Sequence, residues 1–171
     1  LSAVAGALRA YFQQKGETVR NVEVRAMIPV NLRTSRDEGT LGNRFGLGTL
    51  SLPLHEGNPF ARLFIVRQRM NELKSSYQPP LTLGILAAVG VAPKIIQQQF
   101  LDILAAKAST VMTNVPGPKQ PLYLAGTCLD QCMFWVPQSG DIGIGVSILS
   151  YNDNVQFSLI TDHHFVPDPE T

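Results

Sequence analysis

Leu1, Val4, Ala5, Leu8, Tyr11 and Phe12 recur at helical spacing, with polar residues only at Ser2, Arg9, Gln13 and Gln14. That spacing predicts a buried helix ended at Lys15-Gly16. It begins on the first residue with no cap or preceding loop, so the chain reads as a fragment whose upstream part is missing. Val22, Val24, Ala26, Ile28 and Val30 then alternate with Glu23 and Arg25, the pattern of a strand with one buried face. Pro29 places that strand at an edge or near its own end. Asn31 to Leu41 is polar and predicts a mobile loop. The glycine-rich stretch Gly42-Asn43-Arg44-Phe45-Gly46-Leu47-Gly48 leads into a strand over 47–54. Its glycines either let backbone approach a ligand or mark a bulge. No helix pattern opens behind it, so it is not a nucleotide-binding glycine loop.

Asn58-Pro59 has the chemistry of an N-cap and first helical residue. Leu63, Val66, Met70, Leu73 and Tyr77 supply the apolar stripe, and Gln78-Pro79-Pro80 predicts the stop. Leu81 to Val91 is almost wholly apolar and reads as a buried helix, with a lipid-facing lip as the alternative. Pro93 opens a further helix with Ile96, Phe100, Ile103, Leu104 and Lys107 near one face.

Ser109 to Pro118, STVMTNVPGP, begins as a β-branched run and is expected to stop at Asn114. Pro116 and Pro118 fix their own φ, and Gly117 between them is free to take positive φ. The expectation is a rigid turn at a strand end with Asn114 at its mouth, where ligands or partner domains are often met. A plain strand-ending turn is the alternative. Leu122–Leu124 and Gln131–Val136 look like strands around Gly126. Ile142, Ile144, Val146 and Ile148 alternate with Gly143, Gly145 and Ser147, and a flat-packing neighbour, either a helix or another half-domain, is expected on the glycine face. Val155, Phe157, Leu159 and Thr161 alternate with polar residues, and Tyr151 to Asn154 joins the two strands as a hairpin. The order predicts an α+β fold, a mixed or largely antiparallel sheet with helices on one face.

Composition narrows the classes. At 171 residues the chain fits one domain and can bury a core. Charged residues make up 16 %, below the usual quarter, which suggests surface covered by another domain, a membrane or an apolar ligand. The net charge of +1 gives no general pull toward nucleic acid. Cys128 and Cys132 lack the spacing of redox or zinc pairs and read as buried free thiols, compatible with a reducing compartment. The longest apolar run is too short to span a bilayer.

The one catalytic-looking string is HHFVPDP at 163–169. It matches HHxxxD of the acyltransferase motif HHxxxDG, in which a histidine deprotonates an alcohol. Pro169 stands where the final glycine belongs, and the string lies at the chain end, where a base lacks a supporting shell. An exposed pair closing a strand is the preferred reading. No serine elbow, P-loop or metal-ligand spacing appears.

Taken together and in order, LSAVAGALRAYFQQKGE, VRAMIPVNLR, GNRFG, TNVPGP, GIGVSILSYNDNVQFSLITD and the closing VPDP resemble the C-terminal domain of the bacterial wax ester synthase / diacylglycerol acyltransferase family. One departure is Asn152-Asp153, where the family often has glycine after Ser-Tyr. The resemblance implies the second half of a chloramphenicol acetyltransferase-like, CoA-dependent acyltransferase, with 1–171 as a single C-terminal half-domain. Two α+β halves would enclose a tunnel for acyl-CoA and an alcohol. The histidine motif, and an Asn-Asp pair just before the first helix, would lie upstream. The chain alone would then be inactive, with no catalytic residue, bound cofactor or metal of its own. Its expected partners are the N-terminal half, fatty acyl-CoA, and a long-chain alcohol or diacylglycerol, without nucleic acid. The products would be wax esters or triacylglycerols, made in the cytoplasm or peripherally at a membrane or lipid-droplet surface. Asn43, Arg44 and Gly46 would form one rim of the tunnel, and Asn114, Pro116, Gly117 and Pro118 another. A non-catalytic binding or scaffold module of the same fold is the alternative, and a condensation-type transferase ranks behind it.

Overall fold

The computed structural model describes residues 1–34, 43–138 and 142–168. Helix α1 (Ser2–Gln14) is followed by strands β1 (Glu23–Asn31) and β2 (Phe45–Pro53). Three helices come next: α2 (Pro59–Ser75), α3 (Gln78–Gly90) and α4 (Lys94–Ala105). Strand β3 (Thr110–Pro116), the two-residue strands β4 (Tyr123–Leu124) and β5 (Thr127–Cys128), and β6 (Ile144–Tyr151) and β7 (Asn154–Thr161) complete the chain. Five strands form one mixed sheet in the order β2-β1-β3-β6-β7. The outer pairs are antiparallel, while β1–β3 and β3–β6 are parallel. The expected α+β architecture is the observed one.

Alternation dictates the core. Ala26, Ile28 and Val30 of β1 share a face with Leu50 and Leu52 of β2, and Met112 and Val146 continue it across β3 and β6. Val4 and Ala5 of α1 and Val66 and Leu73 of α2 close over that face. Asn58 caps α2 as its chemistry predicts, its Oδ1 accepting from the Phe60 and Ala61 amides at 2.9 and 3.2 Å. The glycines of β2 serve this packing. A Cβ on Gly46 would overlap the Pro79 carbonyl of α3, and one on Gly48 would meet the Leu73 side chain of α2. The β1–β2 register runs unbroken from Glu23↔Pro53 to Asn31↔Phe45. Gly46 and Gly48 therefore mark no bulge; they admit helices.

Several helical expectations are corrected. Gln78-Pro79-Pro80 does not merely end α2; it begins α3, where prolines at the first turn lose no intrahelical bond. Of the apolar stripe expected for α2, Leu63 is exposed and Tyr77 falls beyond the helix, also exposed, while Arg62 is buried instead. Its guanidinium donates to the Ser2 and Glu56 carbonyls at 3.1 and 3.0 Å, so a buried charge is met by backbone oxygen. Helix α3 is not buried: Pro79 alone is, while Leu81 and Ile85 are exposed. Helix α4 packs on α3 and leaves Ile95, Ile96, Leu101 and Ile103 in the open. Among the described residues no helix is long and apolar enough to cross a membrane.

The second face of the sheet is covered by irregular chain. Tyr151, 1 % exposed, donates to the Leu129 carbonyl and accepts from the Leu122 amide, pinning the β4–β5 hairpin. That hairpin turns through Ala125 (φ 50°) and Gly126 (φ 84°), both left-handed as a two-residue turn of this hand requires. Gln131–Val136 is not a strand. It runs over β6, where the Val136 amide bonds Ser147 Oγ at 2.8 Å and Val136 and Gln138 lie against Gly145. The neighbour of the glycine face is thus neither a helix nor another half-domain but this irregular segment, with Phe165 against Gly143. Cys128 is exposed and Cys132 half-buried, so the thiols are not core residues.

Helix-side residues of β7 invert the usual rule. Val155 is 70 % exposed and Phe157 54 %, while Ser158 on the other face is buried. Asn152 (φ 46°) and Asp153 (φ 60°) make the β6–β7 connection a two-residue turn closed by Tyr151 and Asn154. Antiparallel alternation from that pair turns the backbone of Val155, Phe157 and Leu159 away from β6, along the free edge.

Candidate functional site at the split between two parallel strands

Strand β1 pairs with β3 only at Ala26↔Thr110 and Met27↔Val111. Beyond that point β1 stays with β2 to Asn31, and β3 stays with β6 to Pro116. Pro29 stands in the unpaired part. Its ladder with β2 is unbroken at Leu47, so the donor it lacks is missing from the β3 side. Of the two positions expected for Pro29, an edge strand or the end of a strand, the second is observed: it stands two residues before the end of β1, beyond the last pair with β3.

The split opens a cleft of about 770 Å³. Ile28, Val30, Met70, Met112 and Val115 give it apolar walls; Asn31, Asn43, Thr113 and Asn114 give it polar ones. It lies at the carboxyl ends of two adjacent parallel strands whose chains leave in opposite directions, β1 toward β2 and β3 toward β6. In open sheets this reversal of strand order is where ligands are received. The volume is that of a small-molecule site.

The structure brings both sequence-derived rims to this one cleft. Asn43 and Arg44 line it from the start of β2, and Asn114 and Pro116 from the end of β3. Gly46 lies one residue beyond Phe45, turned to α3. Gly117 and Pro118 sit past the cleft wall. Residue 42 of the glycine-rich turn, and most of the 31–41 loop, fall outside the described residues.

The NVPGP segment differs from its expected form. Strand β3 does not stop at Asn114; Asn114, Val115 and Pro116 pair with Ile148, Leu149 and Ser150. A parallel neighbour on one side is enough, because Pro116 is the last residue of the strand. Gly117 does not adopt positive φ. It is needed because a Cβ there would overlap the Ser150 carbonyl, and its amide approaches Ser150 Oγ at 3.3 Å.

Lys74 and Arg33 also line the cleft, and sequence reading did not single them out; Met70, read as part of the apolar stripe of α2, lines it as well. Lys74 occupies the last turn of α2. That position was recognisable as a cation at a helix C-terminus, but nothing in the spacing ties it to Asn114.

His163 and His164 occupy an exposed turn after β7, and the bond there is made by backbone, the His164 amide to Asp162 Oδ1 at 2.8 Å. Neither ring is placed at the cleft. Among the described residues no group of His, Cys, Asp and Glu could hold a metal ion. The chain's end is tied to α1 instead. Tyr11 donates to Asp168 Oδ1 at 2.9 Å, and Lys15 pairs with Oδ2. The bond to Asp168 raises the pKa of both Tyr11 and Lys15 above their ordinary values.

Residues 41–171 match the family profile described as the WS/DGAT C-terminal domain. The chain is 29 % identical over 172 residues to the Mycobacterium tuberculosis protein named "Probable diacyglycerol O-acyltransferase tgs1", covering 98 % of the chain and 37 % of that protein. It is 26 % identical to the O-acyltransferase WSD of Acinetobacter baylyi, covering 36 % of it. Among solved structures it superposes on a wax ester synthase/diacylglycerol acyltransferase from Marinobacter aquaeolei with a TM-score of 0.68 and 27 % identity, over 97 % of this chain and 37 % of that one. A starter condensation domain of the rhizomide synthetase, at 13 % identity and a TM-score of 0.53, shares the fold. The chain therefore spans little more than a third of the length of the relatives it matches.

Proposed function

The chain belongs to the WS/DGAT C-terminal domain family, and from that premise we propose that it is the C-terminal half of an acyl-CoA-dependent O-acyltransferase that forms wax esters or triacylglycerols. The acceptor is a long-chain alcohol or diacylglycerol. An upstream half supplies the histidine that takes the hydroxyl proton as the oxygen attacks the thioester carbonyl. This half supplies wall and support: the cleft between β1 and β3 is its share of the tunnel, with Asn43 and Arg44 on one rim and Asn114 and Pro116 on the other. Acyl-CoA is a co-substrate, and the chain holds no cofactor of its own. The enzyme works in the cytoplasm or at the surface of membrane or lipid inclusions.

One observation carries the reading. Two segments some seventy residues apart in sequence, each part of the family-like pattern, line a single cleft at the reversal of strand order. The apolar walls suit an acyl or pantetheine chain, and the amides offer hydrogen bonds that fix its orientation. The printed names of the relatives support the same chemistry.

The test compares the complete protein with the 171-residue chain. The complete protein should form ester from acyl-CoA and a long-chain alcohol, and the chain alone should form none. Asn114→Ala in the complete protein removes a cleft amide without touching backbone pairing. It should lower kcat/KM by about tenfold or more with little change in melting temperature. Turnover by the 171-residue chain alone, abolished by His164→Ala, would refute the division of labour.

A further inference from the structure

From Ser75 to Ala106 only Lys94 and Asp102 carry charge. This stretch forms the hairpin of α3 and α4. Its buried points are Pro79, where α3 starts on β2, and Ala105, where α4 ends; among the described residues none between them is buried. The polarity of α3 is inverted. Past Gln78 every exposed position carries an apolar side chain or none, Leu81 and Ile85 being the largest. Its one polar side chain there, Thr82, is turned inward, its hydroxyl 2.8 Å from the carbonyls of Leu47 and Gln78. The connection to α4 adds Val91, 89 % exposed, and Ile95, 73 % exposed, just beyond it. A helix that meets water turns its polar side out. This one turns its polar group to the sheet and its apolar side out, the arrangement that suits hydrocarbon. Lys94 is exposed at the first position of α4, and no acidic residue stands in that turn. A cation there has the wrong sign for the helix dipole. Lys107 is exposed just past the other end of α4, and neither lysine has a carboxylate partner among the described residues.

Resting on the acyltransferase reading, we propose that the α3–α4 hairpin docks the enzyme shallowly on an anionic phospholipid surface. The outer side of α3 and the Val91 connection enter the acyl layer, and Lys94 and Lys107 meet the headgroups. The acceptors and products of that reading are lipids that partition out of water, so the hairpin holds the enzyme where its acceptor is dissolved. The docking is interfacial. Helix α3 has 13 residues, about 20 Å of rise, against a hydrocarbon core of about 30 Å. A second copy is the poorer occupant, because its hairpin brings Asp102 as its only carboxylate against two lysines.

The experiment uses the complete enzyme and co-sedimentation with vesicles of phosphatidylcholine alone and of phosphatidylcholine with phosphatidylglycerol. The wild type should bind both, and the anionic vesicles more tightly. Leu81→Asp and Ile95→Asp should each lower the partition coefficient by about tenfold. Both positions are exposed and lie in the first turn of a helix, where a carboxylate complements the dipole, so the melting temperature should hold. Lys94→Gln should weaken binding to the anionic vesicles by about fivefold and leave the neutral ones unchanged. Leu81→Phe should bind as the wild type does. Phe157→Asp, equally apolar in origin but on β7, is the control and should leave vesicle binding unchanged. Esterification of a long-chain alcohol presented in the vesicles should fall in step with binding, whereas that of a short, water-soluble alcohol should not. A wild-type enzyme that stays in the supernatant, or Asp variants that bind as tightly as the wild type, overturns the proposal. So does an unmoved partition coefficient accompanied by loss of a dimer in sedimentation velocity, which assigns the hairpin to a second copy, or by a fall in melting temperature, which assigns it to the upstream half. Hairpin-dependent binding by an enzyme that makes no ester even from acyl-CoA and the soluble alcohol overturns the acyltransferase reading and leaves the docking surface standing.

Discussion

At one side of the sheet, the free edge of β2 is occupied by side chains from the helices above it. Gln78 Oε1 accepts from the Thr49 amide at 3.4 Å, Arg69 donates to the Ser51 carbonyl at 2.8 Å, and Thr82 to the Leu47 carbonyl at 2.8 Å. At the other side, β7 presents outward-turned backbone at Val155, Phe157 and Leu159, and exposes those same apolar side chains. Its sequence, NVQFSLIT, contains neither a charge nor a proline to deter another strand. The difference shows which parts of the fold are finished within this chain. The β2 side has its core, its helices and its edge bonds; the β7 side has pairing but no cover over its helix-side face.

The comparison breaks first at the core of the finished side. Leu52 is fully buried beneath α1 and α2, and Leu52→Ala should destabilise the chain by about 3–4 kcal/mol in chemical denaturation. A loss below about 1 kcal/mol would mean that the helices do not close on β2 as described. Next comes Gly46→Ala. Its methyl group would meet the Pro79 carbonyl, backbone that moves only by shifting α3, and a loss of about 2 kcal/mol is expected. No loss of melting temperature would show that α3 lies farther from the sheet.

On the open side the effect should be small and of another kind. Phe157→Ser should change stability by less than about 0.5 kcal/mol, because the ring is already in solvent. It should also reduce hydrophobic-dye binding and self-association of the 171-residue chain. A strictly monomeric, dye-silent wild-type chain at high concentration would contradict the contrast drawn above.

The smallest effect belongs to the clip between α1 and the tail. Lys15 and Tyr11 both have raised pKa values when bonded to Asp168. Each therefore contributes stability that is complete below its ordinary pKa, near 10.5 and 10.0, and lost as pH climbs through the raised one. Protection of residues 162–168 from hydrogen exchange, after correction for the base-catalysed intrinsic rate, should fall above about pH 10, with protection in the rest of the chain unchanged. Equal loosening in Asp168→Asn at neutral pH would confirm the carboxylate's part.

Much of this was legible in the chain. Period-two alternation marks β1, β2, β6 and β7 because each has one face on a core or a cover, and Asn58-Pro59 marks α2 because capping is local chemistry. Other features depend on neighbours that no local pattern reveals. Apolar residues at 81–91 predict burial somewhere, yet α3 covers the sheet with its first turn and leaves Leu81 and Ile85 outside. Gly117 reads as a conformational hinge, while its real constraint is the Ser150 carbonyl of a strand more than thirty residues away. Arg62 would be counted as surface by charge, and only the carbonyls of Ser2 and Glu56 make it core. The cleft was half visible. Asn43, Arg44, Asn114 and Pro116 belong to recognisable segments, but Lys74 and Arg33 join them only through the packing of α2 and the divergence of β1 from β3.

That divergence has a further consequence for how such a chain can change over time. The cleft exists because two main chains part company after Met27 and Val111, with Pro29 withholding the hydrogen that would draw them together. Its location is thus written in the backbone, whereas its character is written in the side chains that happen to face it. Met70, Met112 or Val115 can be exchanged for larger or smaller residues, and the opening stays where it is. A lineage or an engineer can therefore tune what the hollow admits one residue at a time, on a frame that does not have to be rebuilt.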